Sequence, residues 1–262
     1  MNFKKNLKTK KYRILRKKYP KFVFEKYNWV ISDKDLKISF YFKIEPNIHF
    51  RPKIVINDVS KNKIKKIGRG VLNNLIFHLG LIEILSYWKA TCSPEIEIKA
   101  GFLNDEQIKW WKDLIIKGMG QFFYENKIDF RKRNFLNIKT KTILDNYAMA
   151  EISSKRVMVP VGGGKDSIVT LEILKKAGEE VSCFVLNPTK AAHNIMKIAT
   201  FPISAFKKGE RNRKIGENII VRRKIDKKLL QLNRKGFLNG HTPFSAYLAF
   251  LSILAATISG QK

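Results

Sequence analysis

The chain has 262 residues, 44% of them hydrophobic, which is enough for one large domain or two smaller ones with cores of their own. Its 52 Lys and Arg against 22 Asp and Glu leave a net charge of +30. The two cysteines, Cys92 and Cys183, are far apart, which excludes a disulfide framework or a Cys-based zinc site and suits a reducing, cytoplasmic compartment.

The charge has two readings. A strongly basic chain suits nucleic acid or an anionic substrate. Here, however, the basic residues are spread along a chain rich in Lys, Ile and Asn throughout, and such a bias makes a chain basic whatever it binds.

Met1 to Lys18 is basic and lacks the apolar stretch of a secretory signal, so a solvated leader is expected. Lys21 to Ile56 is strand-like, and Ile38 to Ile44 is rich in β-branched and aromatic residues. A helix is expected over Val71 to Trp88, with Leu72, Leu75, Ile76, Leu79, Ile82 and Leu85 as its apolar stripe. A short strand, Glu95 to Lys99, follows Pro94. A second helix is expected to begin at Asn104, a favourable N-cap, with Asp105 and Glu106 near the positive end of its dipole. Ile108, Trp111, Ile115, Met119 and Phe122 mark its buried face. The paired tryptophans and Phe122 to Tyr124 also suit base stacking, but at helical spacing they read better as core.

The pattern changes near Glu151. Arg156 to Val161 is a short apolar strand that runs into three glycines. A helix from about Ser167 to Lys176 follows, closed by Ala177-Gly178, and then a second apolar strand, Val181 to Leu186. Strand, glycine turn, helix and strand make a βαβ unit with a parallel sheet. A third strand is expected at Asn218 to Val221. The expected fold class is therefore α/β. A doubly wound parallel sheet over residues 151–262 follows an α+β domain over residues 1–150.

From His241 to Gln261 no residue carries a formal charge. The apolar body, Pro243 to Ile258, is 16 residues, or ~24 Å as a helix, short of the ~30 Å hydrocarbon core. Ser245, Ala249, Ser252 and Ala256 fall on one face, where small side chains would let the helix lie close against a neighbour. A buried helix is expected rather than a membrane span.

Gly162, Gly163 and Gly164 need a physical reason. Glycine permits backbone conformations closed to other residues and close approach of a ligand. These three turn into a helix N-terminus, where free N–H groups and the dipole favour an anion. Lys165 adds a cation, Asp166 is placed to hold Mg²⁺ beside phosphates, and Ser167 can donate to a phosphate oxygen or cap the helix. The competing reading is a tight turn in which Asp166 or Ser167 only caps. The spacing of a Walker A loop is absent, and so is the dinucleotide Gly-x-Gly-x-x-Gly.

Gly162 to Ser167 resembles the PP-loop of the N-type ATP pyrophosphatases, Ser-Gly-Gly-x-Asp-Ser, at every position but the first, where Gly162 replaces Ser. That resemblance implies an adenine nucleotide hydrolase-like domain. It also implies cleavage of ATP between the α and β phosphates with Mg²⁺, and a place for Asn187, at the end of the second strand, near the adenosine. Asn187 can equally start a turn.

Gly236 to Ala246, containing Asn239-Gly-His-Thr-Pro-Phe-Ser245, together with Val159 to Glu172, is similar to the ATP-dependent epimerases of the peptidoglycan precursor UDP-N-acetylmuramoyl-L-alanyl-L-glutamate. Ser86 to Ala90 and Gly118 to Tyr124 agree in style. The resemblance implies activation of the terminal glutamate as an acyl adenylate, proton exchange at Cα, and release of AMP and pyrophosphate. It makes the UDP-muramoyl dipeptide the partner, with no membrane involved. His241 is the candidate for acid–base work, since its imidazole titrates near neutrality. It also reads as a turn histidine between Asn239-Gly240 and Pro243. Arg222-Arg-Lys224 suits the UDP phosphates or a solvated face. The resemblance leads one to expect further chain after the uncharged helix, so the nucleotide domain is expected to be incomplete. A PP-loop enzyme adenylating a tRNA base is the alternative, and with the +30 charge nucleic acid stays open as a partner.

Overall fold

The computed structural model describes residues 11–141, 156–200 and 218–260. The expected boundary at residues 150/151 lies outside these spans, as do Met1 to Lys10 of the expected leader.

Strands β1 (Lys21–Ser32), β2 (Asp35–Ile44), β3 (Ile48–Phe50) and β4 (Lys53–Ile56) form an antiparallel meander at the start of the chain. Period-two burial drives it: along β2 every second residue, from Leu36 to Ile44, is buried. β5 (Glu95–Ile98) pairs parallel to β1, and β6 (Asn137–Thr140) parallel to β5. β7 (Val157–Pro160), β8 (Val181–Leu186) and β9 (Ile219–Lys224) are mutually parallel. β9 then pairs antiparallel with β4, from Lys53 opposite Lys224 to Ile56 opposite Val221. The result is one mixed α/β sheet, ordered β6-β5-β1-β2-β4-β9-β8-β7 with β3 beside β2. The parallel trio therefore continues the meander's sheet edge.

The helix α3 (Arg69–Trp88) starts two residues before the expected start at Val71 and packs on β1 and β2. It is long and apolar enough to cross a membrane by length and composition, yet 67% of its apolar window is buried in the protein. Before it lies the short α2 (Lys61–Ile67), which the sequence reading did not separate. The helix α4 (Asp105–Gly118) has the expected N-cap, a capping box between Asn104 and Gln107. α5 (Gly120–Glu125) follows at once, because Met119 leaves helical geometry.

Residues 11–18 form a helix, α1, rather than a solvated leader. Tyr12 is buried, and the Arg16 guanidinium donates to the carbonyls of Cys92 and Phe135. Arg16 supplies the donors that satisfy carbonyls at two chain reversals, which a reading of local charge does not reveal.

Strand alternation also builds the other end. Val159, Val161, Cys183 and Val185 face one small core with Leu171 of α6 (Lys165–Lys176) and Ala192, Ile195 and Met196 of α7 (Lys190–Thr200). Met158, Phe184, Ile219 and Val221 face the large core that runs through the rest of the molecule. The large core also takes Leu229 and Leu232 of α8 (Lys227–Arg234).

α9 (Phe244–Ser259) packs on α3, but not by the expected face. Tyr247, Leu251, Leu254 and Ile258 are buried, whereas Ser245 and Ala249 are exposed and only Ala256 of the small set is buried. The large side chains remove more apolar area from water, and that gain outweighs the closer approach a small face permits.

Candidate active site

The three parallel strands end on one edge of the sheet, the usual place for ligands in open α/β sheets. The glycine loop leaves β7 there. The Val161 N–H donates to the Phe184 carbonyl at 2.8 Å, which ties the loop's root to β8. Gly163 has φ of 95°, and a Cβ there would lie 3.2 Å from the backbone nitrogen of Ala192 and 3.3 Å from Thr189 Oγ1. The position thus needs glycine twice, for its dihedral and for its closeness to the start of α7. Around Gly162 and Gly164 an added Cβ would meet open space, so the loop's outer side is accessible.

α6 begins at Lys165, two residues earlier than expected, so Lys165, Asp166 and Ser167 form its first turn. Gly164 is its N-cap, and no side chain caps it. The reading of Asp166 or Ser167 as a cap therefore fails. Ser167 Oγ instead accepts the Gly162 N–H at 3.2 Å and closes the loop on itself. Lys165 and Asp166 are exposed. α7 starts beside them, its first turn capped by Thr189 Oγ1, which accepts the Ala192 N–H at 3.2 Å. Among the described residues, no three His, Cys, Asp or Glu side chains gather as a metal cage.

Asn187 ends β8 with φ of 48°. Its side chain spans to β9: Oδ1 accepts the Arg223 N–H at 2.8 Å and Nδ2 donates to the Arg223 carbonyl at 3.3 Å. Both ends of its amide are thus used in holding the strand ends together.

Arg223 lies in the basic stretch Arg222 to Lys224. The structure makes it the joint of the site. Its Nε and Nη2 donate to Glu83 at 2.9 Å each, and Nη2 also donates to Ser86 Oγ at 2.7 Å. Its guanidinium lies 4.5 Å from the centre of the Tyr247 ring. Glu83 is fully buried; burial pushes its carboxyl up and Arg223 pulls it back toward the ionised form. Among the described residues the Tyr247 hydroxyl has no hydrogen-bond partner, and burial raises its pKa well above the usual phenol value. Arg222, by contrast, faces outward and donates to Asn57 Oδ1 at 2.7 Å.

The loop that holds His241 comes to the same region. Lys89 Nζ donates to the Gly240 carbonyl at 2.7 Å, Asn126 Nδ2 to the Asn239 carbonyl at 2.9 Å, and the Leu238 N–H to the Ala90 carbonyl at 3.0 Å. Gly240 lies so close to α5 that a Cβ would come 3.2 Å from the Phe122 Cα. Residues 86–90, 118–124 and 236–246, the stretches named for the resemblance in the sequence, are therefore contiguous in the structure. His241 itself is exposed, with no hydrogen bond among the described residues. Lys89 was missed by the sequence reading, although it lies inside Ser86 to Ala90. Burial first, and then the charge of Arg223, lower its pKa below the usual lysine value.

Contacts thus run from Gly163 through the Thr189 turn and Asn187 to Arg223, then through α3 to Lys89 and the His241 loop. Residues 14–262, which span all of these parts, match the model of the MurL N-terminal domain family. The chain belongs to that family. It is also similar to proteins named UDP-N-acetyl-alpha-D-muramoyl-L-alanyl-L-glutamate epimerase. The one from Xanthomonas oryzae pv. oryzae is 27% identical over 184 residues, 70% of this chain and 37% of that protein. Those from Salinispora tropica and a Micromonospora species are 25% and 26% identical, over 77% and 72% of this chain. This MurL N-terminal domain chain matches only 37 to 39% of the length of those curated relatives. No solved structure matches it.

Proposed function

We propose that the chain is the nucleotide-handling part of a cytoplasmic epimerase that converts the terminal L-glutamate of UDP-N-acetylmuramoyl-L-alanyl-L-glutamate to D-glutamate at the expense of ATP. The observation that supports it most is the chain of contacts joining the glycine loop to the Asn239–Ser245 loop through Arg223. In this reading residues 151–262 are a PP-loop unit and residues 1–150 its α+β frame.

The loop suits a pyrophosphate. Its outer face is open, the N–H groups at the uncapped start of α6 are not taken by a side chain, and Lys165 adds a positive charge. Asp166 alone is no metal cage, so Mg²⁺ would arrive on the nucleotide with Asp166 as a single protein ligand. In this reading Asn187 stands near the adenosine, where its side chain fixes the β9 backbone. Adenylation of the glutamate α-carboxylate removes its negative charge and makes the adjacent Cα–H acidic enough for a side-chain base. Inversion then needs one group to take the proton and another to return it on the opposite face. His241 and Lys89, whose Nζ holds the carbonyl of the preceding Gly240, are the pair we assign. Burial and the charge of Arg223 lower the Lys89 pKa, which raises the share of free amine able to accept a proton.

Two measurements test this. The chain is incubated with Mg-ATP and the UDP-muramoyl dipeptide, and AMP and glutamate chirality are followed together. AMP formation that depends on tRNA, without D-glutamate, would sink the reading in favour of RNA adenylation. Independently of turnover, Gly163→Val should weaken Mg-ATP binding at least ~10-fold, since its side chain meets the Ala192 backbone. Unchanged affinity would remove the loop from the site.

A further inference from the structure

Five strand spacings of ~4.8 Å, about 24 Å, separate β1 from β7 across the sheet. At the β1 side, where α2 turns into α3, lies a groove of about 440 Å³ that none of the chemistry above uses. Its volume falls within the ~300–1,000 Å³ of small-molecule sites. Ile31 and Ile64 form its apolar lining, Trp29 its aromatic wall, and Lys61, Lys65 and Arg69 its charged rim.

The wall is held in place. Trp29 Nε1 donates to Asn73 Oδ1 at 2.7 Å, which fixes the indole plane, and the Arg69 guanidinium lies 5.5 Å from the ring centre. An aromatic surface and a cation are thereby set side by side. Among the described residues, no carboxylate pairs with Lys61, Lys65 or Arg69, and the groove lining contains no acid. Such a groove is complementary to a ligand with a flat ring at one end and an anion at the other. A ring stacks on Trp29 through its quadrupole and area, and a phosphate suits a guanidinium with two ammonium groups beside it. Gly68 also borders the groove and leaves the first turn of α3 without a side-chain cap, which adds to the positive potential there.

We propose that this groove binds a mononucleotide, its base stacked on Trp29 and its phosphate held by Lys61, Lys65 and Arg69. Titration calorimetry of uridine 5′-monophosphate into the 262-residue chain tests it. The expected result is one site that Gly163→Val leaves unchanged. Affinity should fall at least ~10-fold in the double variant Lys61→Glu/Lys65→Glu and in Trp29→Ala, and inorganic phosphate should compete only at ~10-fold higher concentration or more. The two lysines are exposed, so the charge reversals report on binding whether or not Trp29→Ala keeps its fold. Four results would overturn the proposal. One is no binding. A second is binding lost in Gly163→Val and kept in the double variant. Another is equal affinity for inorganic phosphate, which means an anion patch without base recognition. The last is a single-stranded oligonucleotide binding ~100-fold tighter through the same residues, which means a nucleic-acid surface.

Discussion

On the β1–β2 side of the sheet, Phe22, Phe24, Phe40 and Phe42 are completely buried and pack ring against ring under α3. On the β7–β8 side the helices α6 and α7 cover only a small core of Val, Leu, Ile, Cys, Ala and Met side chains, and Ile168, Val169 and Ile173 of α6 stay exposed. The first region is a frame; the second is a thin layer laid against its edge. Yet the candidate nucleotide loop belongs to the second. Its shape depends on strand ends, one glycine contact and a few hydrogen bonds, so stability and ligand handling are separable except where Arg223 joins them.

Arg223→Leu strikes that joint. It leaves Glu83 buried without a partner and should cost about 3–5 kcal/mol in thermal or denaturant unfolding. Glu83→Leu/Arg223→Leu should recover most of the loss, because no unpaired charge remains. If the double variant is no better than the single one, the pair is not the joint.

His78 offers a handle on the frame alone. It stacks near Trp111 and Phe250, and burial lowers its pKa from 6.5 to about 4. The neutral ring therefore stabilises the fold above pH 6.5, and that contribution is lost as the pH falls from 6.5 toward about 4. The loss should approach about 3 kcal/mol at the acid end. His78→Phe should flatten that part of the pH profile, and an unaltered profile would place the acid sensitivity elsewhere.

Leu171→Ala cuts into the thin layer. A cost of about 2 kcal/mol is expected, at the low end for such a change because a small core relaxes more easily. Hydrogen exchange should accelerate in α6 and α7 and leave α3 protected; equal acceleration in α3 would erase the contrast between the regions. The smallest effect should come from Asn104→Ala, which removes the Oδ1 that accepts the Gln107 N–H, keeps the backbone N–H that donates to Gln107 Oε1, and costs about 1 kcal/mol with no change in nucleotide binding.

Much of the frame was legible because its signals are local. Alternation in β2, the stripe on α3 and the Asn104 cap each lie within a few residues of the structure they specify. α2 and α8 were not read because helices of seven or eight residues hold too few turns for a period to stand out, and α5 reads as a continuation of α4 until Met119 breaks the helix. α1 was hidden by its charge, since Arg16 earns its place through the distant carbonyls of Cys92 and Phe135. At the site, the turn from β7 through Gly162 to Gly164 into α6 could be read from spacing, whereas Lys89 carried no mark beyond its place in Ser86 to Ala90.

By itself the sequence determined which segments alternate, which have helical period, and that three glycines must turn a strand into a helix, because these follow from backbone sterics and side-chain direction over a few residues. Only the tertiary structure decided that β4 and β9 join the two halves in one mixed sheet, that α9 buries its large face rather than its small one, and that Arg223 links Asn187 to Glu83. Those outcomes depend on which distant surfaces remove the most apolar area from water and leave no buried charge unpaired, and neither quantity is defined until the whole chain has folded.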